Sequence, residues 1–73
     1  MYKQGTIFEL IIDNLSCFDP TTYDRLEHLI LRGEKVLLLE DKERHGFVKI
    51  LLLKTNQVAK VYLWERYWNL ANC

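Results

Sequence analysis

Residues 32–70 read RGEKVLLLED (32–41), KERHG (42–46), FVKILLLK (47–54), TNQ (55–57) and VAKVYLWERYWNL (58–70). Runs of Val, Leu, Ile and aromatic residues, each about a strand long and separated by short polar segments, are the pattern of consecutive antiparallel strands. Three strands are expected, at about 34–40, 47–54 and 58–65, joined by a charged turn at 41–46 and a tight turn at 55–57. Residues 66–70 predict a short helical turn followed by one more short strand.

Upstream, residues 6–12 read TIFELII and place Phe8, Leu10 and Ile12 on one face at period two, which predicts a first strand ended by Asp13 and Asn14. The segment 15–32 supports two readings. Asp19 before Pro20 has the form of a helix N-cap followed by proline at the first helical position, and Phe18 and Tyr23 are spaced as a hydrophobic staple. Tyr23, Leu26, Leu29 and Ile30 keep helical spacing, and Gly33 can stop a helix. Together they predict a helix over about residues 20–31. The competing reading is extended chain, in which Leu29 and Leu31 alternate with His28, Ile30 and Arg32. The expected fold is mainly β: a small antiparallel barrel of four to five strands, with the helix inserted between the first and second strands.

At 73 residues the chain is expected to form one domain (1–73) with a small core. An apolar fraction of 49%, with 12% aromatic residues, excludes a disordered tail. Ten basic residues balance ten acidic ones and are interleaved with them, which argues against nucleic acid as a partner. Two cysteines, Cys17 and a terminal Cys73 expected to be frayed, are too few for a secreted disulfide framework and point to a reducing compartment. The first ten residues lack the form of a signal peptide, and no run reaches the roughly 18 apolar residues of a membrane span, so a cytoplasmic protein without membrane contact is expected. A short chain with its own Met1 fits an accessory protein of the kind common in phages and bacteria.

Val36 to Leu39 and Ile50 to Leu53 are apolar on both faces of their strands, because neighbouring side chains point to opposite sides. One face can form the core. The other needs a cover, either the helix through Leu26, Leu29 and Ile30 or a second protein.

From Gly33 onward the order of features resembles a Src-homology-3-like barrel. Gly33-Glu34-Lys35 leads into the apolar strand Val36 to Leu39, a variable loop follows at 41–46, Phe47 opens the next strand, and the turn 55–57 precedes Val61 to Leu63 and then Tyr67 with Leu70. Peptide-binding members carry a Trp pair where this chain has Phe47-Val48 and a proline near the last tyrosine, which is missing here. The resemblance therefore implies the barrel alone.

The aromatic cluster Tyr62, Trp64, Tyr67 and Trp68 is the strongest lead to function, since such side chains bury large areas at low entropic cost at binding hot spots. Alternation with Val61 and Leu63 places Tyr62 and Trp64 outward; the other reading has the rings closing the end of a small barrel. With Leu37 and Leu39 they form the candidate protein-binding residues. His28, even with Glu27 and Cys17, lacks the four ligands of structural zinc, and His45 beside Gly46 reads as a turn residue, so no metal or other cofactor is expected. No nucleophile turn, phosphate loop or paired acids mark an enzyme. The expectation is an interaction module, a regulator, inhibitor or assembly factor binding another protein through an aromatic and leucine surface. Two alternatives are a nucleic-acid-binding barrel using Lys49, Lys54, Lys60 and Arg66, and a homo-oligomer formed through the second leucine face.

Overall fold

The computed structural model describes residues 2–71; the expected frayed end at Asn72 and Cys73 lies outside them, as does Met1. Seven strands follow one another: β1 (Ile7–Leu10), β2 (Asn14–Phe18), β3 (Arg25–Leu31), β4 (Lys35–Leu38), β5 (Gly46–Leu52), β6 (Gln57–Leu63) and β7 (Trp68–Leu70). They form one antiparallel sheet in the order β3-β2-β6-β5-β4-β1-β7, which is not closed: β3 and β7 are its two edges. Three apolar runs thus become β4, β5 and β6, with full register between the last two from Gly46↔Leu63 to Leu52↔Gln57.

Two expectations are corrected. Among the described residues there is no helix, and the architecture is an open seven-stranded sheet in place of a four- to five-stranded barrel. Residues 20–31 contain the hairpin turn and the strand β3, with Asn14↔Leu31 and Ser16↔Leu29 pairing it to β2. The capping chemistry at Asp19 is real but serves the turn. Its carboxylate accepts the Thr21 and Thr22 N–H groups at 2.8 and 2.9 Å, and its carbonyl accepts the Tyr23 N–H at 2.9 Å. Tyr23 then enters the left-handed region, φ 64°, and the Asp19 N–H donates to the Asp24 carbonyl at 2.8 Å, which sends the chain back along β2. The first turn of a helix and the tip of a hairpin need the same orphan N–H groups satisfied, so Asp-Pro-Thr-Thr announces both. Gly33, the expected helix stop, has φ 92° in the β3–β4 turn and donates to the Leu10 carbonyl at 2.9 Å.

Every strand contributes to one core: Phe8 and Leu10, Cys17, Ile30, Val36 and Leu38, Val48, Ile50 and Leu52, Ala59, Val61 and Leu63, and Trp68. Residues from both edge strands meet in it, which requires the sheet to curl. A flat sheet of seven strands would be about 29 Å wide and one strand thick. The chain instead measures 26 × 23 × 21 Å. Trp68 closes the core beside β1, its indole N–H donating to the Tyr62 carbonyl at 3.1 Å. At the other end Cys17 is a free, buried thiol that donates to the His28 carbonyl at 3.2 Å. Burial pushes this thiol above its ordinary pKa, and the nearby Glu34 charge adds to the rise.

Candidate functional site

With the core residues of β4, β5 and β6 pointing inward, alternation turns Leu37, Leu51, Val58, Lys49, Lys60, Phe47 and Tyr62 outward, while Leu39 and Leu53 come just past the ends of β4 and β5, half-buried and exposed respectively. Cross-strand register sorts them into rows. Ile7, Leu37, Leu51 and Val58 are successive partners across β1, β4, β5 and β6 and make an unbroken aliphatic row. The next row holds Lys49 opposite Lys60, with Phe18 of β2 paired to Lys60. Beyond it Phe47 stands opposite Tyr62. Within the aliphatic row each side chain shields its neighbour, so Ile7, Leu37 and Leu51 are half-buried while Val58 is exposed.

The aromatic row continues as a chain of edge-to-face contacts. Phe18 meets Phe47 at 5.6 Å between ring centroids and Phe47 meets Tyr62 at 5.5 Å. Tyr62 lies 6.3 Å from Tyr67, which meets Trp64 at 5.0 Å, with His45 at 6.1 Å beyond. The turn after β6, closed by the Tyr67 N–H donating to the Trp64 carbonyl at 2.8 Å, folds Tyr67 back onto Tyr62. Arg66 sits 5.4 Å from the Trp64 ring. Leu15, Ser16, Phe18, Phe47, Tyr62 and Tyr67 line a groove of about 390 Å³ between β2 and the aromatic row. No charged side chain lines it, so it suits apolar or aromatic groups. A larger hollow of about 760 Å³ opens at the β1–β7 edge against Tyr2, Phe8, Trp68 and Leu70, away from this face.

Of the residues singled out from sequence, Tyr62, Trp64 and Tyr67 are half-buried and joined in the aromatic chain, and Leu37 and Leu39 are half-buried, Leu37 on the outward face and Leu39 just past the end of β4. Trp68 is not on this surface; it is 3% exposed and faces the core. Sequence reasoning missed Phe47, which is 50% exposed, and its partner Phe18. Phe47 shares the parity of Leu51 and Leu53, which was the signal once Val48 and Ile50 are assigned inward. Phe18 has no such signal, because its place beside Phe47 depends on β2 pairing with β6.

The helix expected to cover the second leucine face is absent, and of the segment in its place the turn residue Tyr23 reaches this side of the sheet, against Lys60. β3 joins the sheet at its edge, turning Ile30 into the core and Leu29 and Leu31 to solvent. His28 meets Glu34 at 3.1 Å, and the other Glu34 oxygen accepts the Leu31 N–H at 2.7 Å, which fixes the β3–β4 corner. Among the described residues no three His, Cys, Asp or Glu side chains gather as a metal site. Among them, too, no helix is long and apolar enough to cross a membrane. Compared with known protein families, curated proteins and solved structures, the chain matches none.

Proposed function

We propose that this chain is a small protein-interaction module that binds another protein through the outward face of β4, β5 and β6 and the adjoining aromatic row. The observation that carries the reading is the aliphatic row Ile7, Leu37, Leu51 and Val58, followed along the strands by Lys49 and Lys60 and then by Phe47 and Tyr62, with Val58 and Phe47 exposed to solvent. Exposed apolar side chains gathered on one face, here on either side of a lysine pair, are the usual mark of an interaction surface. Rigid aromatic side chains beside it supply anchors that lose little entropy on binding. The reading assigns no catalytic role and places the protein in a reducing cytoplasm, where a buried free thiol such as Cys17 persists. A regulator, inhibitor or assembly factor is the kind of protein it describes. The likeness to Src-homology-3-like domains belongs to the same proposal. It is supported by the order of β4, charged loop, β5 opening beside Phe47, tight turn, β6, a turn holding Tyr67, and β7.

The test is affinity capture with the chain and with a Leu37→Lys/Phe47→Ala variant whose fold is checked by thermal melting. The expected result is a protein retained by the parent chain, released by the variant, and bound stoichiometrically when both are purified. Retention of the same proteins by both forms would remove the assignment of this face.

A further inference from the structure

Lys49 and Lys60 are direct cross-strand partners, and both point outward because Val48, Ile50, Ala59 and Val61 are fully buried. Side chains so placed stand about 5 Å apart at Cβ, where like charges are destabilising. Among the described residues neither ammonium has a carboxylate within ion-pair distance, the ion pairs being His28–Glu34 and Arg32–Asp13. The Glu40 carboxylate accepts the Lys49 backbone N–H at 3.1 Å, which brings one negative charge beside the two ammonium groups without an ion pair to either. Elsewhere on this face charge is balanced, since Glu9 stands opposite Lys35. No carboxylate stands directly opposite either lysine: the flanking cross-strand positions are Leu39, whose N–H donates to the Lys49 carbonyl, and Phe18. The Lys60 ammonium lies 5.3 Å from the centre of the Tyr23 ring, which holds it over the sheet without neutralising it.

Along the strands the face therefore steps from aliphatic (Leu51, Val58) to a lysine pair with net positive charge (Lys49, Lys60) to aromatic (Phe47, Tyr62), two residues per step. Two steps span about 13 Å, the distance over which an extended chain repeats its same-side residues i, i+2 and i+4. Two turns of helix advance only about 11 Å and fall out of step.

We infer that the partner presents an extended segment of the pattern apolar-x-acidic-x-apolar. Its carboxylate is received between Lys49 and Lys60, one apolar side chain lies on Leu51 and Val58, and the other lies on Phe47 and Tyr62. This rests on the protein-binding reading above and names the class of partner. Nucleic acid fits less well, because two lysines in one row make a single positive point, whereas a strand needs a track along which successive phosphates are neutralised.

The test is selection from a random peptide display library on the immobilised chain, followed by fluorescence anisotropy of the enriched peptides against the parent chain, K49Q and K60Q. Enrichment of the pattern is expected, with at least about a tenfold loss when the central acid is replaced by its amide, as for hydrogen bonds to charged groups. K49Q should lose the same affinity, erase the difference between acid and amide, and melt no lower than the parent. Enriched peptides lacking the acid, yet released by Leu51→Lys, would overturn the acidic class and leave the protein-binding face standing. A labelled oligodeoxythymidine that binds more tightly than any peptide, with affinity falling steeply in salt, would overturn both. Failure to enrich any sequence, or a concentration-dependent dimer abolished by Leu37→Lys, would also overturn the inference.

Discussion

Substituting Leu29 and Ile30 separately by valine distinguishes β3 from a helix. In the hairpin, Ile30 is fully buried and Leu29 is 42% exposed, on opposite faces of one strand. Ile30→Val removes one methylene from a packed site, which costs about 1 kcal/mol through lost transfer energy and the small cavity left behind. For a domain of this size that is a fall in Tm of roughly 4–8 °C. Leu29→Val touches a side chain already largely in water and keeps good strand propensity, so its effect should stay within about 0.5 kcal/mol. Valine is used for both because Ile30→Ala, at about 2–5 kcal/mol, approaches the whole stability of a small domain. Thermal unfolding followed by circular dichroism reads both variants, and urea titration with unchanged m-values confirms that stability alone has moved. Equal losses at the two positions would refute the hairpin, because adjacent residues on one buried helical face are the arrangement in which both changes are felt.

Cys17 should resist thiol reagents in the native state and react once denaturant is added; fast labelling of the native protein at that residue contradicts its burial. Because its folded pKa is raised, the stability it contributes is present at low pH and is lost as pH rises through and beyond the ordinary thiol range, so Tm of the parent should fall more steeply there than Tm of Cys17→Ala. The Asp19 carboxyl is held below the usual range by the Thr22 and Thr21 N–H groups. Its contribution is therefore present above the ordinary carboxylate pKa and lost as pH falls through the depressed value, and Asp19→Asn should flatten that part of the acid melting profile. K49Q relieves an opposed like-charge pair and should raise Tm by about 2–4 °C at low salt, an increase that shrinks as salt is added; an unchanged or lower Tm would show that the two ammonium groups already avoid each other.

Period-two alternation made β1, β4, β5 and β6 readable, because Phe8 and Leu10 share a face and the leucine runs are bounded by turn residues. The hairpin β2–β3 was not readable in the same way. Tyr23, Leu26, Leu29 and Ile30 satisfy helical spacing by coincidence, while the strand pattern in Arg25–Leu31 is blurred by apolar side chains on both faces. The deciding fact, that Ile30 joins Cys17 in the core through pairing with β2, is tertiary and has no local signature. The same limit acted on the candidate site. Parity placed Tyr62, Leu37 and Leu39 outward, but Trp68 lies after a turn whose geometry resets the parity, and it faces the core. Phe18 reaches Phe47 only because the curled sheet sets β2 beside β6. The absence of the helix also changed what the leucine face means, from a surface covered internally to one that leaves Val58 and Phe47 exposed.

Carbene footprinting of the isolated chain at low concentration asks directly whether that face is open. Labelling at Leu51, Val58 and Phe47 should exceed that at Val36, Leu38 and Ile50, and should drop only when a partner is added. Protection of Leu51, Val58 and Phe47 equal to that of the core, in a chain that remains a monomer, would mean that its own residues cover the face and that function must be sought elsewhere.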